Sequence, residues 1–196
     1  MASYFTFDEV RNAARQRYGA RASMESLIES AAVGNGDRFD VFLSHSSKDA
    51  EVILGIKSLL EGQGMSVYVD WIVDTQLDRA KVNAETAETL RKRMGQCKGL
   101  IYVASANAAA SKWMPWELGY FDGKKGDAAV AILPVVERQT DGFPGQEYLG
   151  LYAVVRNDFY SDTGDSDVFV ERIGKHWKPL REFANTGAWY QYTSKS

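Results

Sequence analysis

The chain has 196 residues, 45% of them hydrophobic and 25% charged, which suits one compact domain with short extensions. Its formal net charge of −3, without an extended lysine–arginine run, gives no electrostatic footprint for nucleic acid. The one cysteine, Cys97, excludes an internal disulfide framework and a cysteine-based zinc site, and His45 and His176 are too far apart for an HExxH-type metal motif. No metal is expected, and a reducing, intracellular setting is.

The opening "MASYFTFDEVRNAARQRYG" is interrupted by acids and followed by no apolar block, so it does not read as a secretory signal. The longest apolar run, Ala128 to Val136, is too short to cross a bilayer and contains Pro134. A cytoplasmic protein without membrane contact is expected. Residues 7–33 read as helical: Thr6 and Glu9 have capping-box spacing, and Phe7, Val10, Ala14 and Tyr18 share one side. Gly19 divides this stretch from a second helix with Met24, Leu27, Ile28 and Ala31, and "GNGD" (Gly34 to Asp37) is a turn or linker. These helices pack either on the main domain or on another copy.

From Phe39 the pattern becomes short apolar runs separated by helical ones. "FDVFLS" (Phe39 to Ser44) is a strand, followed by a polar loop and a helix carrying Val52, Ile53, Ile56, Leu59 and Leu60. "MSVYVD" (Met65 to Asp70) is a second strand, and a long polar loop leads to a helix near Asn83 to Gln96. "GLIYVAS" (Gly99 to Ser105), "AVAILPVV" (Ala129 to Val136) and "LYAVVR" (Leu151 to Arg156) supply three more strands. A helix from the stretch "SKWMPWELGYFDGKK" precedes the fourth. Asp165 or Ser166 caps a last helix through Val168, Phe169, Ile173 and Trp177, ended by Pro179. Continuous apolar strands alternating with helices imply a parallel sheet covered on both faces. The expected fold is a flavodoxin-like α/β sandwich with a five-stranded, mostly parallel sheet plus N-terminal helices. Its expected divisions are residues 1–36 (helical extension), 37–184 (main domain) and 185–196 (tail).

Ligands of such sheets bind beyond the carboxyl ends of the strands. Three polar stretches fall there and should converge: "SHSS" after the first strand, "DW" after the second and "ASANAAASKW" after the third. In "SHSSKDAE", Ser46 and Asp49 have N-cap spacing, and a helix N-terminus after a strand also favours phosphate. No GxGxxG or Walker pattern accompanies it, and His45 by itself reads as a loop residue. Asp70, Asp74 and Asp78 lack the glycine of a calcium loop, but Asp70 and Trp71 stand where they should border the cleft. Glu117 is the unusual acid. Pro115 places it in a first helical turn, where a carboxylate ordinarily contributes about 0.3–1 kcal/mol against the helix dipole. Yet Trp113 and Phe121 lie four positions to either side, on its own helical face.

In this order, "DVFLSHSSKDAE", "VYVD", "LIYVAS" and "SKWMPWELGYFDG" resemble a Toll/interleukin-1 receptor (TIR) domain, most of all the bacterial, NAD-consuming branch. The likeness runs from about Phe39 to Val136 and less clearly to Leu180. It implies that Trp113 and Glu117 form a WxxxE element whose glutamate is catalytic, cleaving the bond between nicotinamide and ribose in NAD. NAD is then the substrate, and no cofactor is implied. It also implies that Ser44, His45 and Ser46 face the phosphates and ribose, that Asp70 and Trp71 border the pocket, and that Trp113 stacks a ring. Products would be ADP-ribose or a cyclised isomer, in antiphage defence that works either through a signal nucleotide for a downstream effector or through depletion of NAD. Homo-oligomers through TIR–TIR contacts are implied as well. The loop "DTQLDRAKVN" departs from the pattern, with Arg79 and Ala80 where a glycine is common. Two other readings stand beside this one: a non-catalytic TIR interaction module, and a nucleoside deoxyribosyltransferase-like enzyme.

Overall fold

A computed structural model describes residues 3–19, 38–74, 82–139, 141–142, 145–160, 163–172, 174–185 and 189–192. The expected second N-terminal helix, the Gly34–Asp37 turn and the Arg79/Ala80 departure lie outside them.

The chain enters as β1 (Phe5–Thr6) and turns at once into α1 (Phe7–Tyr18). The capping box forms as its spacing requires: the Glu9 N–H donates to Thr6 Oγ1 at 3.3 Å, and the Thr6 N–H donates to Glu9 Oε2 at 2.7 Å. Gly19 closes the helix at φ 89°, in the region that favours glycine. After β2 (Phe39–Ser44), a single 3₁₀ turn leads into α2 (Ala50–Gly62), then β3 (Val67–Tyr68) and the short α3 (Asp70–Val73). The expected strand over residues 65–70 is therefore shorter, and Asp70 opens a helical turn instead of ending a strand. α4 (Ala84–Gln96) is capped by Asn83, whose side chain accepts the Thr86 N–H at 2.8 Å. β4 (Cys97–Ala104), α5 (Met114–Lys125), β5 (Val130–Val136) and β6 (Ala153–Phe159) complete the alternation.

The strands β3-β2-β4-β5-β6 lie side by side in that order and run parallel, the doubly wound arrangement expected. Val41, Leu43, Ile101, Val103 and Leu133 pack on one face with α1 and α2. On the other face Phe42, Leu100, Tyr102 and Ile132 pack with Leu90 and Met94 of α4 and Leu118 and Phe121 of α5. Hence each strand reads as an unbroken apolar run. The helices α1 and α2 approach so closely that a Cβ on Gly55 would stand 2.0 Å from the Val10 carbonyl oxygen.

The expected last helix is not formed. Instead β7 (Ser166–Arg172) runs antiparallel to β6, β8 (His176–Pro179) antiparallel to β7, and β9 (Tyr190–Gln191) antiparallel to β8, extending the sheet. Val168, Phe169, Ile173 and Trp177 fit a helical spacing, but cross-strand ring packing prevails. The rings of Phe169 and Trp177 meet edge to face at 5.3 Å, and Tyr160 meets Phe169 at 5.0 Å. Gly174, at φ 72°, makes the reversal between the two strands.

At the other end of the chain, β1 pairs with β5 at Val135 and Val136, while Ser3 bridges to Asn157 of β6. It thus occupies the gap where β5 and β6 part.

Candidate active site

The order β3-β2-β4 places a topological switch point at the carboxyl ends of β2 and β4, where the connections leave towards opposite faces. Ser44 ends β2 and lies beside Tyr102 in the register with β4. Ser44 shares its side of the sheet with Phe42, towards α5. There its Oγ donates to Glu117 Oε2 at 2.6 Å, and both residues are 0% exposed.

Local sequence explains how Glu117 reaches that point. Pro115 sits in the first turn of α5, where a missing N–H leaves no intrahelical bond unmade. The Glu117 N–H donates to the Trp113 carbonyl at 2.8 Å, which fixes the carboxylate one turn from Trp113 and near the positive end of the helix. Leu118 and Phe121 are core, and the Trp113 ring, also buried, meets Trp116 edge to face at 5.4 Å. Trp116 in turn stacks on Tyr120 at 5.7 Å and carries the Arg91 guanidinium 5.4 Å from its centre. A carboxylate enclosed in this way needs donors and dipoles to offset its lost hydration. The Ser44 hydroxyl and the α5 N-terminus supply some of them. Burial, the neighbouring Tyr148 hydroxyl and the Glu117 charge together raise the Tyr102 phenol above its ordinary value, so Tyr102 is a neutral hydroxyl on the same face.

His45, Asp70 and Trp71 form a second group. The His45 ring contacts the Leu43 carbonyl through Nδ1 at 2.8 Å, and its Nε2 meets the Trp71 indole N–H at 2.8 Å and Asp70 Oδ1 at 3.4 Å. The indole can only donate, so Nε2 accepts and the proton resides on Nδ1, facing the carbonyl. His45 and Asp70 are buried, and Trp71 packs against the α2 side of the core. Ser46 accepts the Lys48 N–H at 3.4 Å, capping the 3₁₀ turn.

A third group was not expected as such. Asp49 accepts from Ser105 Oγ at 2.5 Å and from Asn107 Nδ2 at 2.6 Å. Hydrogen bonds therefore join all three polar stretches: the one after β2 meets the one after β3 through His45 and Trp71, and the one after β4 through Asp49. Ser44, Glu117 and Trp113 lie together on the α5 side, and His45, Asp70 and Trp71 together on the α2 side; the backbone step from Ser44 to His45 links the two sets. The reading of the sequence missed Tyr102, Ser105 and Asn107 as individuals. Only the position of "ASANAAASKW" after a strand signalled the last two. Among the described residues, no group of three or more His, Cys, Asp or Glu is placed to hold a metal ion, and no helix is long and apolar enough to cross a membrane.

The family model described as "TIR domain" matches residues 41–172. The chain is 49% identical over 146 residues to a protein of Bacillus cereus (strain MSX-D12) named "Probable 3' cyclic ADP-D-ribose synthase ThsB'", covering 74% of this chain and 75% of that protein. It is 39% identical over 94 residues to a Cytobacillus dafuensis protein named "Putative cyclic ADP-D-ribose synthase TIR2", covering 47% of this chain and 25% of that protein. Parallel strands in the doubly wound order, with a buried acid at their switch point, agree with a match that spans more than half of the sequence, and the chain belongs to the TIR domain family.

Proposed function

We propose that this protein cleaves the nicotinamide–ribose bond of NAD and closes the ADP-ribose part into a cyclic isomer, with Glu117 as the catalytic carboxylate. The observation that carries this reading is the Glu117 side chain, wholly enclosed at the switch point beside Trp113 and held by the Ser44 hydroxyl at 2.6 Å. Two relatives named as cyclic ADP-D-ribose synthases support the substrate and the product class.

In this reading the bond between the ribose C1′ and the nicotinamide nitrogen breaks, and its electron pair passes to the ring nitrogen. That nitrogen was cationic and becomes neutral, so departure needs no acid. Positive charge spreads over C1′ and the ring oxygen of the sugar, as in other oxocarbenium-like transition states. A carboxylate excluded from water opposes that charge far better than a solvated one. The ribose hydroxyls take the place of Ser44 Oγ as donors to Glu117, so substrate entry requires Trp113 and its neighbours to part from the acid. Ser46 and the start of the following helix face the phosphates, while His45, Asp70 and Trp71 border the pocket. Capture by an atom of the same nucleotide gives the cyclic product, and capture by water gives linear ADP-ribose; each releases one proton. The chain works in the cytoplasm as a homo-oligomer through TIR–TIR contacts. It serves antiphage defence by handing the nucleotide to a separate effector.

Chromatography of NAD incubated with concentrated protein tests this. Nicotinamide and a cyclic ADP-ribose are expected, the 3′ isomer being the first to seek. Glu117→Gln is expected to lower nicotinamide release by about a hundredfold or more with thermal stability retained. Equal turnover by the Gln variant would dispose of the assignment.

One observation favours a second reading. Glu117 is completely covered and already hydrogen-bonded, as a structural acid in a non-catalytic TIR interaction module would be. In that case Glu117→Gln destabilises the fold, and neither form consumes NAD.

A further inference from the structure

Asp49 holds an unusual position for its residue type. It is the N-cap residue of α2, where an aspartate normally turns its carboxylate back to accept a free N–H of the first turn. Here it makes no such bond, and Ser46 caps the preceding turn instead. Both Asp49 oxygens point across the switch point, to partners 56 and 58 positions away in the chain. The residue is 6% exposed, so the bonds form where water competes little.

Those partners form a closed unit. Ser105 Oγ donates to Asp49 Oδ2 while accepting the Asn107 N–H at 3.1 Å, and Asn107 Nδ2 donates to Asp49 Oδ1. From this clamp the chain continues through residues 108–112, with Ala108 buried and Ser111 Oγ accepting the Met114 N–H at 3.3 Å, into α5. Trp113 and Glu117 are therefore anchored at one end by Ser44 on β2 and at the other by Asp49, which follows the same strand.

We infer that Asp49 is a positioning residue for the NAD-cleaving site. By clamping Ser105 and Asn107 it fixes the strap that aims Glu117 and Trp113. This inference rests on the reading of Glu117 given under Proposed function. Misplacement of a reacting group by about an ångström costs on the order of a hundredfold in rate, without needing a change in substrate affinity.

The test is a swap. Asp49→Asn keeps the size and one acceptor for Ser105, but sets an amide NH₂ against the Asn107 NH₂. In the double variant Asp49→Asn/Asn107→Asp, the new amide donates to the new carboxylate and donor again meets acceptor. The full chain is assayed at a temperature where all forms are folded by circular dichroism, with hydrogen exchange followed over residues 105–112. The single variant is expected to exchange faster there and to lose about ten- to a hundredfold in kcat, with KM within about threefold. The double variant is expected to recover most of both. Unchanged exchange in the single variant overturns the inference, as does faster exchange with full kcat, or a double variant no better than the single. If wild-type protein and Glu117→Gln are alike inert towards NAD, the proposed activity fails. The inference then fails with it as to catalysis, while the exchange data still decide whether Asp49 holds the strap.

Discussion

Ser44 Oγ lies 2.6 Å from Glu117 Oε2, joining the last residue of β2 to the first turn of α5 across 73 positions of sequence. Neither side chain meets solvent, so the bond is part of what allows an acid to occupy that place at all. Ser44→Ala removes the donor and leaves the carboxylate less well compensated. An unfolding free energy lower by about 2 kcal/mol is expected, together with a loss in NAD turnover of about tenfold or more. Urea titration of the two proteins, alongside a nicotinamide assay, measures both effects. Unaltered stability in the alanine variant would mean that the hydroxyl contributes nothing to holding Glu117.

Gly55 marks the tightest approach of α1 to α2. A methyl group there would collide with the Val10 carbonyl oxygen at 2.0 Å and with the Val10 side chain at 2.7 Å. Backbone cannot step aside, so Gly55→Ala is expected to destabilise by about 1–3 kcal/mol or more, despite the better helix propensity of alanine. Gly99 provides the contrast, because its nearest neighbour is the Phe183 ring at 2.6 Å, a side chain able to rotate. Thermal melts should rank Gly55→Ala below Gly99→Ala. The reverse order would show that the two helices separate easily.

Asp74 joins α3 to α4 through two bonds from Arg93, at 2.6 and 2.8 Å, and one from the Tyr68 hydroxyl at 2.7 Å. Burial acts to raise its pKa, but the hydrogen bonds from Arg93 and Tyr68 and the charge of Arg93 prevail and hold the carboxyl below its ordinary 3.8. The folded value is thus lower than the unfolded one. The stability this group provides is complete above about pH 4 and disappears as the pH falls through the folded value. Unfolding free energies of wild type and Asp74→Asn, measured from pH 7 to pH 2, are expected to differ by a constant amount down to about pH 4 and then to converge. A gap that stays level into strong acid would contradict the assignment.

Cys97 is buried at the start of β4, and burial pushes its thiol up to about 12. Almost none is thiolate at pH 8, the form that reacts. Native protein is expected to resist iodoacetamide for hours and to take up one equivalent in denaturant. Rapid labelling of the folded chain would show that this strand opens readily.

The buried strands and the α5 entry were legible because their signals are local: apolar runs bounded by glycine and polar turns, a capping box at Thr6, a proline in the first turn before Glu117. The hairpin of β7 and β8 was not. Val168, Phe169 and Trp177 satisfy a helical period, and only the facing ring of Tyr160, brought in by β6, decides for strands. Asp49 misled for a similar reason. Its spacing from Ser46 suits a helix cap, and nothing within a few residues reveals partners more than fifty positions further on. His45 and Trp71 could each be placed at the cleft, but the ring-to-ring hydrogen bond between them depends on a strand pairing that no local pattern specifies.

The short first strand has a practical meaning for anyone handling this protein. The family match begins at residue 41, which invites trimming everything upstream, yet Phe5 and Thr6 are pinned to Val135 and Val136, and Ser3 to Asn157. A recombinant fragment cut at that border would lose an interior plank and bare the greasy flank of α2, inviting clumping in the test tube.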